Sequence, residues 1–343
     1  MRPSVNSVTD PFGEHVPPQH HRSLHLLGAL FRFESNSVQL LRLVERAFAG
    51  LPRHRLGAGT PRLRVRLQLA PSQPRKPAAE PPPLRTWSGP GFVCGAMDQS
   101  NLAVIVPARA SALVVISRDM LRHPYHARYE LIEFAVYVLA ARAQGLVPLH
   151  AAAVGGRGRA VLLLGDSGAG KSTIALHCLL QGLAMLSEDG VFVAPEQLLA
   201  TGIASFLHLR PDGLRLLRGH ESAGTIRASP IIRRRSGAEK HEVDLRRSGY
   251  RLAPAALRIT AVVFLSKRTA SDDRLLIPVA ARQLAGRLAA HQPYAATQQG
   301  WDRFERNLAG VRAFELRRGT HPRVAVAALR DLLAVPAHRA PRA

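Results

Sequence analysis

Apolar residues recur at Val38, Leu41, Val44 and Phe48, a helical spacing that predicts a helix over Ser37–Leu51. Leu63, Val65, Leu67 and Leu69 alternate with polar residues and predict a strand. Leu102–Pro107 and Ala112–Ser117 read as two further short strands, and Tyr129–Ala143, rich in Ala, Leu and Val, as a helix. From Leu149 the pattern becomes one of alternating strand and helix. Ala160–Leu164 is a continuous apolar run, as expected of a parallel strand buried on both faces. Thr173–Gln181 continues as a helix that Gly182 ends. Met185–Leu186 and Val191–Val193 flank a short acidic turn. Ile259–Leu265 is a second strong strand and Val311–Leu316 an edge strand, with helices over 278–290 and 323–334.

The polar stretches divide the chain. Residues 1–25 are aperiodic and rich in Pro and His, and read as a flexible tail. Pro71–Pro83 is too dense in proline to donate a regular set of backbone hydrogen bonds, so it reads as a loop or extended linker. Residues 218–243, with Arg233–Arg235 and Glu239–Glu242, read as a charged, mobile segment. The expected organisation is a tail over 1–25, an α+β module over 26–148, an α/β domain over 149–336 and a second tail over 337–343.

Composition narrows the chemistry. The 343 residues suffice for two domains. No apolar run reaches the roughly 18–20 residues that span a bilayer, and the N-terminus lacks the apolar core of a secretory signal, so the expected location is cytoplasmic. Two cysteines, Cys94 and Cys178, exclude a disulfide framework or a cysteine metal cluster, and Cys178 reads as a buried structural thiol. With 47 Lys+Arg against 24 Asp+Glu, the net charge of +23 favours acidic partners. The basic residues are scattered, however, and no zinc finger, helix-turn-helix or aromatic-basic signature accompanies them, which argues against a nucleic-acid interface.

One motif carries chemistry. Gly165-Asp166-Ser167-Gly168-Ala169-Gly170-Lys171-Ser172 fits G-x-x-x-x-G-K-[ST], with an apolar strand before it and a helix, opening at Thr173, behind it. Glycines let backbone N–H groups surround phosphate oxygens, and the helix N-terminus adds a favourable dipole. Lys171 would neutralise β- and γ-phosphate charge, and Ser172 could ligate Mg²⁺. ATP with Mg²⁺ is the expected cofactor pair, although such a loop does not reveal the fate of the γ-phosphate.

The stretch LHAAAVGGRGRAVLLLGDSGAGKSTIALHCLLQGLAMLSEDGVFV, from Leu149 to Val193, resembles the catalytic domain of HPr serine kinase/phosphorylase. It resembles still more the diverged HPr-kinase-related proteins of bacterial peptide-modification clusters. The shared order is His150, the loop Gly165–Ser172, Gly182 and the acidic pair Glu188-Asp189. The resemblance implies a P-loop domain of HPr-kinase type behind a small α+β module. It implies Asp189 as the base that takes the acceptor proton and Lys171 as the cation on the phosphates. His150 would bond the base or a phosphate oxygen. Glu188 stands where the family has Asp, and would hold water on Mg²⁺ or orient the loop. The family's second signature carries a Glu for Mg²⁺; Phe206–Leu217, FLHLRPDGLRLL, has none, which implies weak phosphorylase activity. Asp212 and Lys240 are further groups that could reach the site.

The expected activity is transfer of the γ-phosphate to a Ser or Thr hydroxyl of a peptide or small protein. A P-loop ATPase or nucleotide switch, or a small-molecule kinase, is the alternative. No guanine-reading N-K-x-D motif is present, and Leu186-Ser-Glu-Asp is too short an apolar run for a motor's Mg²⁺ strand. The family's hexamers would allow a homo-oligomer, but no heptad or long apolar face supports one.

Overall fold

Leu27 and Gly28 both have positive φ, 51° and 84°. That pair makes the tight turn of a hairpin between strands His20–Leu26 and Ala29–Ser35. The computed structural model describes residues 17–72, 80–247, 249–270 and 274–334, and every count below is a count among these described residues. Asn36 ties the hairpin's exit to Leu69 through its side chain, and the helix Val38–Phe48 follows. Leu40, Leu41, Val44, Ala47 and Phe48 form its buried stripe. The helix is the crossover that lets Arg62–Ala70 pair parallel to Ala29–Ser35. Ser111–Ser117 adds a second parallel pairing, and Asn101–Val106, Phe92–Asp98 and Arg85–Gly89 extend the sheet antiparallel to seven strands. Arg85–Gly89 is its last strand.

The second sheet lies over residues 147–318 and runs Ala184–Ser187, Ala152–Gly156, Arg159–Leu164, Leu257–Thr269, Leu199–Gly202, Gly190–Ala194, Val147–His150. Arg312–Arg318 pairs with the later part of Leu257–Thr269, and Leu276–Pro278 borders it. Near the ends of this path, Ser187 and Gly190 are joined through Glu188–Asp189, and His150 and Ala152 through Ala151. The sheet therefore curls back on itself. The seam where it closes is where His150 and the acidic pair lie. A third, three-stranded sheet has the order Phe206–Leu209, Glu239–Asp244, Ile231–Arg233. Helices Lys171–Leu180 and Pro322–Ala334 cover one face of the curled sheet, and Ala281–His291 and Trp301–Leu308 the other.

The protein is thus mixed α/β with several sheets, and several expectations are corrected. Residues 20–25 are not tail but an edge strand, whose exposed polar residues concealed the pairing. Residues 1–16 and 335–343, which include the expected tail 337–343, lie outside the described residues, as do 73–79 of the proline-dense stretch. The segment 218–243 is not a mobile loop: it holds helix Ser222–Arg227 and two strands, stitched by the Ile231↔His241 pairing. Val311–Leu316 does not stand at an edge, because Leu276–Pro278 covers it. The region from Leu149 does not simply alternate strand and helix. Three strands come in succession, and Arg159–Leu164 is parallel to Leu257–Thr269 but antiparallel to Ala152–Gly156. The helix expected over Tyr129–Ala143 is α-helical only over Phe134–Gln144; its first part belongs to a π-helical stretch, Ala127–Glu133, which buries Arg128 and Glu133 and leaves Tyr129 half-buried. Cys178 is buried as expected, and burial pushes its thiol up to about 12. No described helix is long and apolar enough to cross a membrane.

His177, on the helix after the motif, is buried edge-on against His321 at 5.2 Å, and its Nε2 has no hydrogen-bond partner. Burial, then the nearby charge of His321, Arg323 and His220, lowers its pKa from 6.5 to about 4. Between those values the unfolded chain binds a proton that the folded chain rejects, so stability falls as pH falls. The melting temperature of the parent should drop from pH 6.5 to pH 4, and His177→Leu should show a shallower drop. Identical slopes in a calorimetric pH series would exclude His177 as the source.

Candidate functional site

Strand Arg159–Leu164, buried from Ala160 onward, delivers the chain into the glycine-rich loop. Gly168 and Gly170 have φ of 80° and 104°, the left-handed region that side chains avoid. At Gly165 a Cβ would stand 3.0 Å from that of Ala169 and 3.2 Å from that of Leu265, so packing too demands glycine. Helix Lys171–Leu180 begins at once, with the Ile174 N–H donating to Gly170 O at 2.9 Å. Its free N–H groups and dipole therefore point into the loop.

The acidic pair comes from the other side. Gly190–Ala194 pairs antiparallel with Val147–His150 in a register that sets Gly190 opposite His150. The Ala151 N–H donates to Asp189 O at 3.1 Å, and Ser187 Oγ donates to Gly190 O at 2.7 Å, fixing the turn. Gly202 backs it: a Cβ there would come within 2.5 Å of Ser187 Cβ.

These elements bring five expected side chains into two contacting groups, Lys171–His150–Asp189 and Ser172–Glu188. Lys171, 8% exposed, donates through Nζ to Gly165 O at 2.6 Å and to His150 Nε2 at 3.2 Å. His150 Nδ1 lies 3.1 Å from Asp189 Oδ1. An ammonium can only donate, so His150 Nε2 accepts, and the other ring nitrogen is the one that faces Asp189. Burial lowers the Lys171 pKa, while the carboxylates of Asp189 and Glu188 oppose that shift. Ser172 Oγ makes a short hydrogen bond to Glu188 Oε1.

Further groups complete the site without having been anticipated. His208 Nδ1 stands 3.1 Å from Glu188 Oε2, and its Nε2 lies 3.7 Å from Glu242 Oε1. Arg128 makes a short ion pair with Glu242 and another at 3.2 Å with Glu133. Ser172, Glu188, His208, Glu242, Arg128 and Glu133 thus form one buried polar row. Burial opposes charge on His208, but its hydrogen bond to Glu188 and the nearby Glu242 carboxylate prevail and raise its pKa. Burial likewise opposes charge on Glu188 and Glu242. His208 with Ser172 and Lys240 in the first case, and His208 with Arg128 in the second, hold both carboxyls well below their usual range. Tyr129 hydroxyl faces Asp189 Oδ2 at 3.4 Å, and Arg234 lies over its ring at 4.6 Å. Burial keeps that hydroxyl protonated, so it donates. Charged Arg128 and Glu133 inside an otherwise apolar helix were the sequence signal. His208 had none beyond its place in Phe206–Leu217.

The loop and the acids face each other across a cleft of about 410 Å³. Asp166, Ser167, Gly168, Gly170, Lys171, Ser172 and Thr173 line it, with His150, Glu188 and Asp189 opposite and Asp212, Arg234 and Lys240 around them. Gly165 and Ala169 of the loop do not line it; Ala169 instead lines an adjoining cavity of about 490 Å³ shared with Arg215, Leu265 and His321. Asp212 makes no helix-capping hydrogen bond, and its partner is Arg210 at 3.5 Å.

A divalent cation fits the donors at the cleft's floor. Ser172 Oγ and Glu188 Oε1 are hard oxygens already in contact. Mg²⁺ beside phosphates takes one or two protein oxygens and not a closed cage.

No protein-family model matches this chain, and no curated protein matches it either. Solved structures do match. One is the Hpr(Ser) kinase/phosphatase from Coxiella burnetii, 12% identical over 54% of this chain and 94% of that chain, with a TM-score of 0.27. A score that low carries no argument about activity.

Truncating Glu242 leaves Arg128 facing Glu133 alone and His208 facing Glu188 alone. Breaking such a buried pair typically costs about 3–5 kcal/mol. Glu242→Leu should fall at the lower end, since Glu133 remains, and Arg128→Met added to it should recover part of the loss. Urea denaturation measures both. A loss within the roughly 0–1 kcal/mol of a surface pair would contradict the burial of this row.

Proposed function

We propose that this protein is an ATP-dependent kinase that transfers the γ-phosphate to a hydroxyl of a peptide or small protein. The observation that carries the reading is the contact chain Lys171–His150–Asp189, at 3.2 Å and 3.1 Å, with Asp189 opposite the glycine-rich loop. Phosphoryl transfer needs positioning, charge neutralisation and a proton acceptor near the incoming hydroxyl, and little covalent chemistry from the protein.

In this reading the N–H groups of Asp166–Gly170 and the helix N-terminus bind the phosphates. Lys171 exchanges its bonds to Gly165 O and His150 for a phosphate oxygen. Ser172 and Glu188 would hold Mg²⁺, which when bound supplies charge neutralisation between the β- and γ-phosphates. The cavity beside Ala169 accommodates the nucleoside, since it adjoins the loop on the side away from the acids. Asp189 takes the acceptor proton. The His150 ring and the Tyr129 hydroxyl face its two oxygens, at 3.1 Å and 3.4 Å, and orient them. Arg234, Arg235 and Lys240 line the cleft and surround the charge developing on the transferred group.

Lys171→Ala should abolish most of the thermal stabilisation that MgATP gives the parent. Asp189→Asn should keep MgATP affinity and lower turnover by about 10²–10⁴. Phosphopeptide formation by mass spectrometry, read beside ATP affinity, separates the two. Near-parent turnover in Asp189→Asn would exclude this base.

A further inference from the structure

A second cavity, of about 460 Å³, lies behind the acidic pair. Tyr129, His150, Glu188, Asp189 and His208 belong to its wall and to that of the phosphate cleft alike. The two spaces therefore adjoin across these residues, and an occupant of the second one lies beside Asp189, the proposed base. Its size falls within the roughly 300–1,000 Å³ of ligand sites.

Its chemistry differs from that of the cleft. Phe134, Tyr137 and Val138 come from the helix Phe134–Gln144 after the π-helical stretch, Phe192 from the curled sheet, Ile203 from just past its strand Leu199–Gly202, and Trp87 from the seven-stranded sheet. The charged lining residues Arg128, Glu133 and Glu188 are engaged with one another or with His208, and Asp189 with His150. Arg142 is the exposed cation among the lining residues. Such a wall rejects a nucleotide or any anionic body and accepts an apolar one.

The cavity also has a backbone rim. Thr86, Trp87 and Ser88 all line it. Successive side chains of a strand point to opposite faces, so three consecutive residues line one space only where the strand's own edge is part of the wall. Arg85–Gly89 is the terminal strand of its sheet and pairs only with Phe92–Asp98 among the described residues. Its outer N–H and C=O groups are thus available to an added strand. Trp87, 54% exposed, is a large apolar side chain left at this rim.

We propose that this cavity is the acceptor subsite, and that its occupant is an extended peptide segment with a large apolar residue next to the phosphorylated Ser or Thr. The proposal rests on the kinase reading above. The segment adds to the free edge of Arg85–Gly89, and its apolar side chain packs against Phe134, Tyr137 and Phe192. The neighbouring hydroxyl then reaches Asp189. The hydroxyl proton passes to the Asp189 carboxylate as the oxygen–phosphorus bond forms. The bond from the γ-phosphorus to the β,γ-bridging oxygen breaks, and ADP leaves. The two halves of the chain divide the work: the glycine-rich half holds the donor, and the seven-stranded half selects the acceptor.

The test is a position-scanning library of Ser and Thr peptides incubated with MgATP, phosphopeptides being read by mass spectrometry. Parent enzyme should favour a large apolar residue beside the acceptor over a charged one by about 10–100-fold in kcat/KM. Trp87→Ala, at an exposed rim position, and Val138→Arg, which puts a charge into the wall, should each erase most of that preference. MgATP-dependent thermal stabilisation of each variant checks its fold and nucleotide site separately. Peptide phosphorylation with no apolar preference, or a preference unchanged in both variants, would overturn this subsite and leave the kinase reading standing. A parent that binds MgATP yet phosphorylates no peptide overturns both.

Discussion

The His150 ring is the link on which the site depends. It accepts from Lys171 on one side and faces Asp189 on the other, at 3.2 Å and 3.1 Å, and so couples the two sides of the cleft. Its position follows from backbone register. Gly190 pairs with His150 across an antiparallel ladder, so Asp189, one residue earlier, emerges beside the ring. A slip of one residue would send His150 to the other face and leave Lys171 and Asp189 uncoupled. The curl of the sheet serves this register, because it brings the strands on either side of Glu188–Asp189 together from distant places in the hydrogen-bonding order.

Behind that link stands a buried row of alternating charge, Glu188, His208, Glu242, Arg128, Glu133. Each member is costly alone in a medium of low polarity and has a neighbour of opposite charge within 4 Å. The row also crosses between the two halves of the molecule, since Arg128 and Glu133 follow the seven-stranded sheet in the chain and Glu242 belongs to the three-stranded one. Arg46 adds a further contact to Glu242 at 3.4 Å, and His54 bonds Thr201 and Ala253 O at 2.8 and 2.9 Å. The N-terminal half is therefore wired to the groups around the glycine-rich loop, and it supplies Tyr129 to the cleft directly.

Local pattern made part of this legible. The strand Arg159–Leu164, the loop glycines and the helix Lys171–Leu180 declare themselves because each residue's requirement is local: apolar burial, positive φ, helix periodicity. His150, Glu188 and Asp189 entered through a resemblance, and the ladder that joins them is long-range pairing that no window of sequence displays. The hairpin His20–Ser35 was missed because its first strand is an exposed edge that looks polar and aperiodic. Residues 218–243 looked mobile because their charges suggested solvent, whereas Glu242 and His241 are buried by partners far away in the chain. Arg128, His208 and Glu242 escaped for the same reason: a buried charge is intelligible only beside its counter-charge.

The central claim is that phosphate leaves ATP for a hydroxyl held at Asp189 and not for water. It is tested most directly by following the γ-phosphate in ¹⁸O-labelled water, with MgATP and a Ser/Thr peptide pool present. The account predicts that phosphate accumulates on peptide, free of solvent ¹⁸O, in step with ADP. Release of ¹⁸O-labelled inorganic phosphate at the same rate with and without peptide would contradict it, and would make the cleft a hydrolytic one.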